Sequence, residues 1–596
     1  MEDEFLELEG NVDELLDSMT AACKGGELDS EKFVPLRVVE TCSRLLKERK
    51  SVTKVAALLA ELAKNEDLRI PVCKTGAIFH LVSFLNPESN VDTLTNCLRS
   101  IANLCFDCDE SRSAVLREKG HVSLCKTFFH FLHQFVDLEK KDDLMRIFAG
   151  TILNLSNDND EMATALCEAG ALSHVVEALN CCQSESSQLT LLDALGSLTE
   201  TKDAKEALLK CDKLSVFQTF VTNILASAQS ASKELQLKAS EKLYDLADED
   251  DDWKRKIGEK MELVSGLARV VEEHKDEDVR SRTGQLLSLI LTEDECMSRL
   301  FDGGKGMLVD RAIVWLKSDD ARLEKCAAMI MGNFSRKDDN CLILSEMDIP
   351  QKLICLAKRK PGDKGVQFAA LSALRNLSLP ATLKPKLISW GLVELVCSQL
   401  EMSDGEGGSY LAVHFKALAI LRLLLSPPEK KAALLILNNS TVRRRIVELS
   451  GCSIHAGVQA ESSRLIAALV KICGRGDDET NLQVLRRFVD EEKGSTPAIV
   501  FLINSSHPVM INEGLIALSL LVALAGPRGV WESDRQLKPV VERAIQIAGD
   551  CEIVSQIRKN ALTFLDAFRE SAIDETTFES LRTDIEKTTT SSSNLK

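Results

Sequence analysis

In residues 365–380, GVQFAALSALRNLSLP, the apolar positions Ala370, Ala373, Leu374 and Leu377 fall at i, i+3, i+4 and i+7, which is one face of a helix. Pro380 closes the segment, because proline has no N–H to continue the ladder and clashes with the preceding turn. The last turn carries Asn376, a poor helix former that offers two donors and an acceptor. The arrangement recurs as SIANLC at Asn103, TILNLS at Asn154 and IMGNFS at Asn333.

Aligned on that position, the anchors Glu61, Asn103, Asn154, Ser197, Asp245, Ser288, Asn333, Asn376, Leu423, Lys471 and Leu520 repeat every roughly 42 to 51 residues. Armadillo and HEAT units repeat every ~40–47. A second marker precedes several of these helices, a glycine opening an amphipathic run: TGAIFHLVSFL from Gly76, AGALSHVVEAL from Gly170 and WGLVELVCSQL from Gly391. Glycine there permits a tight turn that a side chain would obstruct, and Leu172, Val175, Val176 and Leu179 form the stripe that follows it. No stretch alternates as a strand. Two markers at one period predict an all-α fold, an armadillo-repeat α-solenoid of about eleven to twelve repeats in which each unit packs on its neighbours around a long concave surface. The expected organisation is an acidic lead-in or capping helix over 1–30, a single array over 31–582 with a polar loop at 402–409, and a disordered polar tail over 583–596.

Composition narrows the function. The 596 residues are 45% hydrophobic but only 5% aromatic, the aliphatic balance that stacked helices use. Lys and Arg number 73 against 91 Asp and Glu, a formal charge of -18, which argues against nucleic-acid binding and favours a basic partner. The 19 cysteines are scattered through apolar patterns, as at Cys105, Cys167 and Cys326, and are expected to be reduced and buried. MEDEFLELEG has neither a basic n-region nor an apolar h-region. No uninterrupted apolar run nears the roughly 20 residues of a membrane span. A cytosolic monomer is the expectation.

Candidate chemistry is sparse. GGKG at Gly303–Gly306 has Met307 where a phosphate loop needs Ser or Thr, and no strand before it, so it is expected to be a turn. Cys105, Cys108, His130 and His133 imitate a zinc set, but HxxH is shorter than the usual H-x₃₋₅-H spacing. No catalytic motif is present, and no metal or cofactor is expected. The asparagines have two readings: they grip the backbone of an extended segment in the groove, or they cap their own helix ends. Ser197, Asp245 and Ser288 interrupt the series, which leaves Asn333 and Asn376 as the better cluster. The interruption coincides with the densest acid: Asp245, Asp248, Glu249 and Asp250 within YDLADEDDD, then Glu272, Glu273, Asp276, Glu277 and Asp278. These form either a concave patch that attracts a polybasic segment over ~8 Å at physiological salt or solvated loops.

The wording of the repeats is more specific than their period. AKNEDLRIPVCKTGAIFHLVSFL (63–85), NDNDEMATALCEAGALSHVVEAL (157–179), RLFDGGKGMLVDRAIVWL (299–316), GVQFAALSALRNLS (365–378) and HAGVQAESSRLIAAL (455–469) resemble, in order along nearly the whole chain, the small-GTPase guanine-nucleotide dissociation stimulators of SmgGDS type. The resemblance implies an armadillo-repeat binder of Ras-superfamily GTPases, chiefly Rho and Rap types with a polybasic, prenylated C-terminus. It implies a chaperone and atypical exchange factor without catalytic chemistry of its own. The concave face would grip the switch regions, release GDP and hold the nucleotide-free GTPase until GTP arrives. By position, Asn376 matches a switch-contacting asparagine, with Asn333 and Arg375 as neighbours by motif, and residues 245–252 and 276–278 fall on the family's electronegative surface. A prenyl pocket is implied with no residues assigned. The alternative is an armadillo scaffold or transport adaptor for extended peptides. That groove would want Trp and Asn on consecutive helices, whereas the four tryptophans, at 253, 315, 390 and 531, are not so paired.

Overall fold

Three helices make one repeat, and the residues at their joints explain why. The computed structural model describes residues 12–25, 36–134, 138–211, 221, 232–402, 410–426, 429–475, 478–530 and 534–570. Among them every regular element is a helix, and the fold is the all-α armadillo-type solenoid that the spacing predicts. In the repeat that begins at Asn159, the Asn159 side chain accepts from the Met162 N–H at 2.9 Å and caps the first helix, Asp160–Glu168. Asp160 and Glu161 place negative charge at the positive end of its dipole. Gly170, at φ +95°, reverses the chain into the second helix, Ala171–Cys181, whose Leu172, Val175, Val176 and Leu179 are buried as the pattern requires. The third helix, Glu185–Leu198, completes the unit.

The glycine marker is therefore a backbone requirement. Gly76 and Gly391 open their second helices at φ +79° and +84°, and Asp348 does so at +57° before Ile349–Arg359. At three joints a second left-handed position links a third helix to the next first helix. Asp107, Asp158 and Glu249 occupy it at φ 48°, 51° and 57°. Aspartate tolerates this region; glutamate is less common there. GGKG is also a turn. Gly303 and Gly304 are left-handed, and a Cβ on Gly306 would lie 1.9 Å from the Leu300 carbonyl oxygen. The Met307–Trp315 helix follows it, with no strand before.

The chain divides into two compact units, Met1–Cys296 and Met297–Lys596. In the first, the third helices Val52–Leu62, Val91–Cys105, Leu138–Ser156, Glu185–Leu198, Lys233–Ala247 and Glu277–Ile290 each pack on the one before. In the second, Ala321–Phe334, Lys364–Leu377, Leu411–Leu424, Ala456–Cys473 and Pro508–Val530 do the same, and Ser555–Glu570 packs on the last. At the N-terminus the helix Val12–Gly25 packs on Val52–Leu62, tied by Lys54 to Asp17 at 2.7 Å. Phe5, Leu6 and Leu8, the 403–409 loop and the tail over 583–596 lie outside the described residues.

What joins neighbouring third helices is the asparagine. Asn103 Nδ2 donates to the Ala60 carbonyl at 2.7 Å, Asn154 to Ala102 at 2.9 Å and Asn376 to Gly332 at 2.9 Å. Each bond reaches back one repeat. Neither reading of these residues anticipated this bond, in which the amide ties one helix to the backbone of the preceding one. A helix carbonyl has a second lone pair for such a bond. Where serine replaces asparagine the bond changes partner, and Ser197 Oγ meets Ser156 Oγ at 2.8 Å. In the second unit ion pairs reinforce the row: Arg422 to Glu461 at 2.7 Å, Glu461 to Arg464 at 3.2 Å and Arg464 to Glu513 at 2.7 Å.

That ladder ends on a helix whose Pro508–Gly526 segment is long and apolar enough, by length and composition, to cross a membrane. Polar Asn512 and Glu513 interrupt it near its start, and Leu515, Leu518, Leu521 and Val522 are buried in packing with Ser495–Ile503 and Ser555–Glu570.

Two substitutions test these joints. Asn154→Ala should lower stability by about 1 kcal/mol, since it removes a net hydrogen bond and strands a partly buried carbonyl; an unchanged urea midpoint would mean the tie contributes nothing. Gly306→Ala should cost about 2 kcal/mol or more, because the backbone must move away from the new methyl. Gly362→Ala, where a Cβ meets nothing within 4 Å, should be neutral or stabilise by a few tenths to about 1 kcal/mol. Equal midpoints for the two glycine variants would contradict the steric account.

Candidate functional site

The residues singled out in the sequence fall in three places. Asn333, Arg375 and Asn376 lie at the ends of two adjacent third helices, Ala321–Phe334 and Lys364–Leu377, and all three are half-buried. The Asn376 amide N–H is already given to Gly332, and its Oδ1 accepts from Arg375 Nη1 at 3.1 Å. The arginine is thus held along the row by the asparagine.

Asp248, Glu249 and Asp250 lie in the joint after the third helix Lys233–Ala247. Asp250 caps the next helix, Asp251–Glu259, by accepting from the Asp252 and Trp253 N–H groups at 3.0 and 3.1 Å. Asp251 and Asp252 pair one turn on with Lys254 and Arg255, both at 2.9 Å. Asp248 and Glu249 are exposed and have no ion-pair partner among the described residues. The joint borders a groove of about 520 Å³ whose other wall is the first helix of the preceding repeat, Lys202–Lys210. Glu200, Glu206 and all five acids of Asp248–Asp252 line it, against only Lys202, Lys205 and Arg255. Burial, with repulsion from Asp158 next, pushes the Glu200 carboxyl above its usual range. The acidic runs therefore combine loop and patch: capping fixes Asp250, and the unpaired acids around it give the groove its sign.

Asp245 faces an adjoining groove of about 510 Å³ that is mixed in charge. There Lys238 pairs with Asp193 at 2.7 Å, Lys205 Nζ donates to the Asp245 carbonyl at 2.8 Å, and Arg282 approaches the Asp245 carboxylate at 3.6 Å. Lys242 lies over Gly196, and burial depresses its ammonium. Asp276, Glu277 and Asp278 belong to neither groove. They begin the third helix Glu277–Ile290, where Asp276 caps it and Lys233 pairs with Asp276 and Asp278 at 3.0 and 2.8 Å. Lys233 starts the helix in whose last turn Asp245 lies, and the twelve-residue step between them rises roughly 18 Å. One continuous acidic patch over 245–278 is not what the chain builds.

Sequence reasoning missed Glu200 and Glu206 because they precede the acidic run by about one repeat. The period itself was the available signal, since Glu206 stands one unit before Asp252. Elsewhere, Cys105 is buried with its thiol pushed up by burial, Cys108 lies 3.4 Å from Ser111 Oγ, and His133 is 3.7 Å from Glu177. Among the described residues no three His, Cys, Asp or Glu side chains converge to hold a metal.

No family model matches the chain. It is 31% identical over 549 residues to Rap1 GTPase-GDP dissociation stimulator 1-A of Xenopus laevis, covering 90% of this chain and 86% of that protein. GTPase-GDP dissociation stimulator vimar of Drosophila melanogaster is 27% identical over 508 residues, covering 78% and 76%. Among solved structures, an engineered protein covers 83% of this chain at TM-score 0.46 and 18% identity. At 31% identity over 90% of its length, the Xenopus likeness runs through both units, and on it this chain belongs to the GTPase-GDP dissociation stimulator family.

Proposed function

We propose that the protein binds small GTPases of Rap or Rho type through its rows of third helices and promotes GDP release, acting as chaperone and exchange factor with no acid–base chemistry of its own. Its relatives' names, which specify GTPase-GDP dissociation stimulation, of Rap1 for the Xenopus protein, support the partner class. The observation that carries the tail-binding part is the groove at Asp248–Asp252, where seven carboxylates face three cations. A polybasic C-terminal segment is its complement, and Asp248 and Glu249, unpaired and exposed, are the contacts that such a segment would make first. A prenylated tail, a cytosolic setting and a monomeric stimulator belong to the same reading.

Release follows only from differential affinity. The stimulator must bind the open, nucleotide-free GTPase more tightly than the closed one, and a face that bound both equally would shift nothing. Arg375, held by Asn376, and neighbouring Asn333 are the residues assigned to the switch-facing surface.

The test is release of fluorescent GDP from a Rap1-type GTPase with an intact basic tail, beside a tail-neutralised form. The protein should accelerate release, and the effect should fade with the neutralised tail and as salt rises from about 0.1 to about 0.5 M, where charges are screened within a few ångströms. An Asp248→Asn, Glu249→Gln variant should bind the intact GTPase about tenfold more weakly, at unchanged thermal midpoint. Tight binding without acceleration would leave a chaperone alone; no binding of any small GTPase tried would sink the reading.

A further inference from the structure

The second unit carries a surface of the opposite sign. Phe368, Ser372 and Arg375 stand at i, i+4 and i+7 on the third helix Lys364–Leu377 and so share one face. Phe368 is 40% exposed, on a helix whose other large apolar side chains, Val366, Leu371, Leu374 and Leu377, are buried. From the next third helix, Leu411–Leu424, Lys416 Nζ reaches over that ring at 4.9 Å from its centroid, and lies 5.6 Å from the Phe415 ring. Arg375 is fixed from behind by its bond to Asn376 Oδ1 at 3.1 Å. Neither Arg375 nor Lys416 has an ion-pair partner among the described residues, although the whole chain carries a formal charge of -18. Burial depresses the Lys416 ammonium, and the positive charge of Arg375 adds to it, which places the two cations within electrostatic reach of one another.

Two unpaired cations on adjacent helices beside an exposed aromatic ring form an incomplete constellation. One carboxylate between them would pair with both and relieve their repulsion, and an apolar side chain beside it would cover the Phe368 ring. A second cation would do neither. We propose that Phe368, Arg375 and Lys416 form a docking shelf for an acidic loop of the GTPase partner, one that presents a carboxylate next to an apolar residue. The shelf rests on the small-GTPase reading given above and adds to it the chemistry of the contact. It also separates two tasks by sign: the acidic groove of the first unit takes the basic tail, and the cationic shelf of the second takes an acidic loop on the GTPase body.

The full-length protein, its Arg375→Glu and Lys416→Glu variants, and Lys416→Met, which keeps the aliphatic stem over Phe368, should be titrated with nucleotide-free Rap1-type GTPase whose basic tail has been removed, so that only the body contributes. The wild type should bind; both glutamate variants should lose about tenfold or more in affinity and Lys416→Met less, all at the wild-type thermal midpoint. Lys416→Arg should retain binding. Binding by the wild type that the glutamate variants leave unchanged would overturn the shelf while leaving the small-GTPase reading intact. If the wild type bound neither this body nor the GTPase with its tail, both would fall together; binding that required the tail would overturn the shelf alone.

Discussion

At Asn103, Asn154 and Asn376, an amide N–H passed from the last turn of one third helix to a carbonyl of the helix before it sets the register of the two helices. Helices of Leu, Ala and Val slide on one another at little energetic cost, because apolar contact is not directional. A bond from Asn103 to Ala60, from Asn154 to Ala102 or from Asn376 to Gly332 has a direction and a length, and it is satisfied at one offset. Left-handed joints, as at Gly76, Gly170, Asp348 and Gly391, then fix where several of the helices start. The rest of the repeat, including the half-buried surface between neighbouring third helices, follows from those constraints.

Much of this was legible in the sequence for physical reasons. The i, i+3, i+4, i+7 stripe and the opening glycine are local requirements, so Gly170 and the Leu172–Leu179 face could be read from a few residues, and the glycine proved to sit at φ +95°. The asparagine was recognised as a marker, but its bond to the preceding helix was not. Its partner is a backbone carbonyl one repeat away, and no side-chain pattern records which carbonyl that is.

The charged surfaces divide along the same line. Asp248–Asp252 could be found because the acids are contiguous in the chain. Their separation from Asp276–Asp278 could not, since it depends on opposite ends of one helix, and neither could the contribution of Glu200 and Glu206 from the preceding unit. Lys416 and Phe368 are ordinary residues in the sequence, brought together only by helix-to-helix packing. Acid placed at helix starts is inexpensive, because the dipole welcomes it. The capping carboxylates Asp250 and Asp276 thus serve the fold, and the unpaired Asp248 and Glu249 remain available for a partner.

The reach of the asparagine tie also bears on how so long a chain can assemble. The three bonds close loops of 43, 52 and 44 residues, wherever in the chain they occur. Sequence separation between contacting residues therefore does not grow with total length, and the entropy of closing each loop is that of a small domain. A nascent array of this kind can add one unit to the last as soon as some fifty residues have left the ribosome, with no need to wait for a distant C-terminus.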